Sequence, residues 1–96
     1  MILNSYTIYD IKAGVYSPPF YAITHGAACR MVQDSLDNNS ALSKHPNDFI
    51  IYCNGKFDDA TGYIDPINPR EHVRDVISLM PSAPVVADLF ANLGDK

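Results

Sequence analysis

Two cysteines, three histidines and a group of acidic residues are the side chains of this chain best suited to catalysis or metal binding. Cys53 ends an apolar run and is the best-placed nucleophile, but a catalytic thiol needs a neighbouring base and a depressed pKa, and the sequence offers neither. Cys29 and Cys53 lack CxxC spacing and read as small buried apolar residues. His25, His45 and His72 form no HxxxH or HExxH pair that would set two imidazoles on one helical face, so no metal site is expected. Asp58, Asp59 and Asp65 surround Thr61-Gly62. A hard cation wants several carboxylate oxygens, yet the alternating acidic positions and closing Glu of a calcium loop are missing, so these are read as turn-forming Asp. With no catalytic motif and little room for a pocket, neither an enzyme, a cofactor nor a small-molecule substrate is expected.

The aromatic side chains suggest a different chemistry. Six Tyr and four Phe concentrate on the candidate strands, and bases of a single strand stack on such rings where Lys or Arg tracks the backbone. Tyr9, Lys12, Lys44, Tyr52 and Lys56 are the candidate nucleic-acid-binding residues, with Tyr21 and Phe57 nearby in sequence. The competing reading is that these rings fill the sheet core.

Composition constrains the partners. The chain of 96 residues is 47% hydrophobic and 19% charged, with seven basic and eleven acidic side chains and a net charge of −4. That length fits one domain with a single modest core. The low charge density favours surface buried in a homo-oligomer, and the acidic balance excludes an overall positive field, so any nucleic-acid site must be local. No basic stretch precedes an apolar run near the N-terminus, and no run of about 18 apolar residues could span a bilayer. Cytoplasmic localisation and no membrane partner are therefore expected.

The elements that would position these residues follow from periodicity. Asn4 to Ile11 alternates and is rich in β-branched and aromatic residues, as a strand is; Lys12-Ala13-Gly14 turns the chain, and Phe20 to Ile23 forms a second strand paired antiparallel with the first. Thr24 caps a helix whose stripe is Ala28, Met31, Val32, Ser35 and Leu36, ended by Asn38-Asn39. Residues 40–48 read as a polar loop. Asn54-Gly55 between apolar runs predicts a two-residue hairpin turn that sets Cys53 opposite Lys56 and Tyr52 opposite Phe57. Thr61-Gly62 turns the chain again. Asn68-Pro69-Arg70-Glu71 reads as a capped helix start, with Val73, Val76, Ile77 and Met80 at helical spacing; Pro81 stops it, and Val86, Leu89, Phe90 and Leu93 repeat the pattern. Because short isolated helices are marginal in water, both stripes need a surface, and Val73, Val76, Ile77, Met80, Val86, Leu89 and Phe90 are the candidate partner or oligomer interface. The expected fold is α+β: a mainly antiparallel four-stranded ββαββ sheet with a packed helix over residues 1–65 and two short C-terminal helices over 66–96, one domain overall.

Taken together, Tyr6-Thr7-Ile8-Tyr9-Asp10-Ile11-Lys12-Ala13, Pro18-Pro19-Phe20, Lys44-His45-Pro46-Asn47-Asp48-Phe49 and Gly55-Lys56-Phe57-Asp58-Asp59 resemble the small non-structural protein of gokushoviruses, the tailless single-stranded DNA phages of the microvirus group. Ala28-Cys29-Arg30-Met31 and Asp34-Ser35-Leu36-Asp37-Asn38 are similar to that family's helix. The resemblance covers residues 4–64. It implies a non-enzymatic protein of the infected bacterium's cytoplasm, absent from the virion, acting in viral DNA replication or in the switch to single-stranded DNA synthesis and packaging. The partners it implies are a viral replication or packaging protein or single-stranded DNA. Two other readings stand beside it: direct binding of single-stranded DNA by strand aromatics and Lys, and action on a host protein through the C-terminal helices.

Overall fold

The computed structural model describes residues 1–37 and 40–80. Its elements are β1 (Ile2–Asp10), β2 (Val15–Tyr16), β3 (Phe20–Ala22), α1 (His25–Asp34), α2 (Ala41–Lys44), β4 (Phe49–Asp58) and β5 (Ile64–Asp75), with 3-10 turns at Pro46–Asp48 and Val76–Leu79. All strand pairs are antiparallel. The sheet runs β2-β1-β4-β5, and β3 pairs with the same edge of β1 as β2 does, so β2 and β3 form one interrupted outer strand. The α+β class, the antiparallel sheet and the packed helix hold; the described sheet has five strands rather than four.

The interruption falls at Ser17-Pro18-Pro19, where proline cannot donate to the ladder. Ser17 satisfies the facing backbone instead: its N–H donates to the Ile8 carbonyl at 2.8 Å, and its Oγ accepts from the Ile8 N–H at 2.9 Å. The preceding turn works as expected. Gly14 takes φ +71°, and the Asp10 carboxylate accepts from the N–H groups of Lys12 and Ala13.

Thr24 caps α1, its Oγ1 accepting from the Ala27 N–H at 3.1 Å. The buried stripe is turned relative to the expected one: Ala28, Cys29 and Val32 are buried and Leu36 is half-buried, whereas Met31 and Ser35 are exposed. This stripe packs on Tyr6, Ala22, Ile51 and Cys53 from the sheet, and Val76 and Leu79 close the end of the core. Asn38-Asn39 lie outside the described residues. The polar loop expected over 40–48 contains the single turn α2, capped by Ser40, followed by the 3-10 turn.

Two expected features are corrected. Asn54-Gly55 is not a turn: β4 runs straight through it, and Tyr52 lies opposite Thr7 and His72 rather than Phe57. The reversal comes later, at Asp58–Tyr63, where Gly62 takes φ +79°, its N–H reaches the Asp58 carbonyl at 2.7 Å, and the Asp58 carboxylate accepts from the Ala60 N–H. Gly55 serves another purpose, since a Cβ there would stand 2.9 Å from the Asp65 carbonyl oxygen. The helix expected from Pro69 is also absent. Residues 64–75 form an edge strand, where Pro66 and Pro69 are tolerated because an edge leaves donors unpaired. Val76 is fully buried in this chain's own core, Val73 and Met80 are half-buried, and Ile77 is exposed. The second C-terminal helix, with Val86, Leu89 and Phe90, lies outside the described residues.

Gly55→Ala is expected to lower stability by about 1–3 kcal/mol, because the atom it meets is strand backbone that must shift. A urea-denaturation midpoint equal to wild type would show that the close approach of β5 is not needed.

Candidate nucleic-acid interface

Alternation along β1 and β4 divides the sheet into two unlike faces. Tyr6, Ile8, Ile51 and Cys53 point to α1; Thr7, Tyr9, Ile50 and Tyr52 point away from it. On the second face Tyr9 and Tyr16 pair across strands with ring centroids 4.5 Å apart. Tyr16 lies 6.3 Å from Tyr52, and Tyr52 meets the edge of His72 at 6.1 Å. These four rings run across β2, β1, β4 and β5 as one ladder. Nearer the other end of the face, Tyr21 and Phe57 pair at 5.5 Å.

Arg70 completes the ladder. Its guanidinium carbon stands 4.8 Å from the centre of the Tyr16 ring and 5.5 Å from that of Tyr52. It reaches them because β4 and β5 lose register there: Cys53 faces Glu71 while Gly55 faces Pro66, leaving residues 67–70 as an insert opposite Asn54. On the β1 side Tyr6 faces Cys53 and Ser5 faces Gly55, so Asn54 has no partner on that strand either. Among the described residues the Arg70 side chain makes no hydrogen bond and no ion pair, so its five N–H donors remain available beside stacked rings. A cavity of about 460 Å³ opens beneath the insert, walled by Thr7, Tyr16 and Ser17 on one side and by Asn54, Pro66, Ile67, Asn68 and Arg70 on the other. Among the described residues the Asn54 Oδ1, which is buried, finds no hydrogen-bond partner.

Of the expected nucleic-acid-binding residues, Tyr9 and Tyr52 belong to the ladder. Lys12 sits exposed in the turn that follows β1. Lys44 closes α2, whose Leu42 packs against the core, so it lies in the helical layer. Lys56 is on the opposite face: its Nζ donates to the Asn4 Oδ1 at 3.2 Å. From there hydrogen bonds continue from Asn4 Nδ2 to Tyr6 Oη at 3.0 Å, between Tyr6 Oη and His25 Nδ1 at 2.8 Å, and between His25 Nε2 and Glu71 at 3.1 Å. A carboxylate only accepts, so His25 donates from Nε2 to Glu71. Tyr6 is completely buried, so this chain of groups ties β4, β1, α1 and β5 together rather than meeting a ligand. Sequence reasoning missed Tyr16, Arg70 and His72. Pro66 and Pro69 within a segment containing Ile64, Ile67 and Val73 are the edge-strand signal that could have found two of them.

Cys29 and Cys53 are both free and buried, and burial is the main cause pushing each thiol above its ordinary value. This is the opposite of nucleophile activation. Among the described residues no three His, Cys, Asp or Glu side chains gather as a metal site, and no helix is long and apolar enough to cross a membrane.

Among the described residues the sheet thus buries one face under α1 and lines the other with tyrosines. The family model for the Phage ORF5 protein matches residues 3–79, and the chain belongs to that family of phage proteins. No curated protein and no solved structure matches it.

Both thiols are expected to resist an aromatic disulfide reagent until denaturant is added. The thiols are neutral in the fold, so ionisation favours the unfolded chain. Their contribution to stability is intact below the ordinary thiol range and is lost as pH rises through it toward the raised folded value. Rapid labelling of the native protein at neutral pH would contradict the burial.

Proposed function

We propose that this phage protein is a non-enzymatic accessory factor of the gokushovirus non-structural type. It holds single-stranded DNA on its tyrosine-lined face, in the cytoplasm of the infected bacterium, during viral DNA replication or the switch to single-stranded synthesis and packaging. The observation that carries this reading is the ladder Tyr9, Tyr16, Tyr52 and His72 with Arg70 laid over it. Every base has a π-face, so a row of rings accepts a strand with little regard to sequence, and a guanidinium without an internal anion partner suits the phosphates between bases. Tyr52→Ala should weaken binding of a labelled oligonucleotide by about 1–3 kcal/mol, roughly five- to 150-fold. Arg70→Ala should also weaken it and flatten its salt dependence by about one phosphate contact. Lys56→Ala, on the other face, should stay within about twofold of wild type. Absence of binding in low salt, or equal losses from Lys56→Ala and Tyr52→Ala, would rule the platform out.

A second reading, a homo-oligomer, is favoured by Ile2, Tyr63 and Ile64, which are exposed together at the β4–β5 hairpin end of the sheet, with Tyr63 74% exposed. Light scattering at micromolar concentration should then give a dimer that Ile64→Lys dissociates; a monomeric wild-type chain removes this reading.

A further inference from the structure

We infer that an apolar hollow beside α1 is the docking site for residues 81–96 of this same chain, which lie outside the described residues and would bind there as a helix. The hollow has two parts, of about 190 and 430 Å³, and Ile8 lines both. Phe20, Met31 and Val32 stand in the wall of the first, and Val15, Leu42 and Phe49 in that of the second. Among the described residues α1 is the one helix longer than a single turn, and it leaves Ile8, Phe20 and Phe49 half-buried and Met31 47% exposed. The helical layer is thus narrower than the apolar surface it would have to cover.

The wall calls for an apolar occupant, because its Asp and Ser side chains are already engaged. Asp10 Oδ1 accepts from the N–H groups of Lys12 and Ala13, Ser17 Oγ accepts from that of Ile8, and Ser35 Oγ donates to the Val32 carbonyl at 2.6 Å. The path of the chain decides which apolar group is at hand. Leu79 is buried in the core, and its carbonyl accepts at 3.3 Å from Nε2 of Gln33, the residue after Val32 in the wall of the first part. The Val76–Leu79 turn also lies against the Pro46–Asp48 turn, and the residue after that turn, Phe49, lines the second part. The described chain therefore leaves at Met80 beside both parts of the hollow. Beyond it, Pro81 to Pro84 form a link that reaches about 12 Å when extended. Val86, Leu89, Phe90 and Leu93 then recur at the spacing of one helical face, and Asp88, Asn92 and Asp95 fall on the opposite one. A helix of about 15 Å carries that stripe, and one so short needs a surface to hold it in water. The short tether gives the segment an effective concentration on the order of millimolar, an advantage that a second copy or a separate partner lacks.

The experiment compares methyl carbon–proton NMR spectra and urea denaturation of the full chain with those of full-length variants. Phe90→Asp should lower the urea midpoint by roughly 1 M. It should also shift the methyl signals of Ile8, Met31 and Leu42, which lose the ring, and leave in place those of Ile2 and Ile64 at the hairpin end of the sheet. Phe90→Leu keeps an apolar contact, so it should cost no more than about half of that midpoint shift while moving the same methyl signals. It carries the test alone if the charged variant does not fold. Diluting the wild-type chain about tenfold should leave the signals of the hollow unmoved, because docking within one chain does not depend on concentration. Signals of Ile8, Met31 and Leu42 that ignore both substitutions overturn the inference, whatever the midpoint does. Signals of the hollow that move on dilution overturn it as well and assign the site to a second copy.

Discussion

The structure depends on β4 being paired along both edges while holding one residue that neither neighbour matches. β1 and β5 both pair with it from Phe57 back toward Ile50, and both change register at Asn54. On the β1 side the mismatch is one residue; on the β5 side it expels residues 67–70. Gly55 permits this because β5 returns to the ladder at Pro66 and Asp65 so closely that a methyl group would collide with backbone. A bulge re-aims side chains and raises local twist. Here it lifts Arg70 over the tyrosines and opens the cavity beside Asn54, so the geometry of the candidate site is a consequence of how the central strand is paired.

The two faces then differ in what they present. Toward α1 the sheet presents Tyr6, Ile51 and Cys53, which meet the small side chains Ala28, Cys29 and Val32 and bring helix and sheet close together. A core of this size supplies limited apolar burial, and the hydrogen-bonded sequence from Lys56 through Asn4, Tyr6 and His25 to Glu71 adds a polar clamp across four elements. Away from α1, Thr7 is only 2% exposed, lying opposite Tyr52 and donating through its Oγ1 to the Ser17 carbonyl at 2.7 Å. Tyr9, Tyr16 and Tyr52 pack ring against ring on this face while Tyr16 stays 41% exposed, so a choice between core filling and stacking platform need not be exclusive for them.

How much of this was legible in sequence depends on the range of the signal. The Thr24 cap, the β1 alternation, the Gly14 and Gly62 turns and the pairing of Phe20–Ala22 with β1 are local or nearest-neighbour features, and they could be read directly. Asn54-Gly55 carries a strong local turn signal, but a residue pair in a strand that gains two neighbours is decided by those neighbours, and pairing with β1 is invisible in a window around residue 54. Val73, Val76, Ile77 and Met80 fit helical spacing equally well as a bulged strand followed by a 3-10 turn, and the β-branched residues among them suit the strand. The single turn of α2 and the two residues of β2 are too short for any periodicity to reveal. The site was half legible for the same reason: Tyr9 and Tyr52 sit on strands that could be recognised, whereas Tyr16 and Arg70 join them only through register.

The charge distribution explains what kind of binding such a face can support. A net charge of −4 gives no long-range attraction for a phosphate backbone, and several cations are already engaged within the fold: Lys56 with Asn4, Arg74 with Ser78, and the N-terminal amine with Asp59. Arg70 is the cation the architecture places at the rings, and it is held there by stacking, worth about 0.5–1 kcal/mol at an exposed site. Stacking loses little with added salt, whereas phosphate contacts lose affinity steeply. On the proposed reading, a strand held mainly by Tyr9, Tyr16 and Tyr52 would thus be retained by its unpaired bases. Duplex DNA, whose bases are already stacked on one another and whose main attraction is its charge, would gain nothing from such a ladder and would meet a chain of net negative charge. On the proposed reading, discrimination between single and double strands would follow from the ring geometry and the charge balance together.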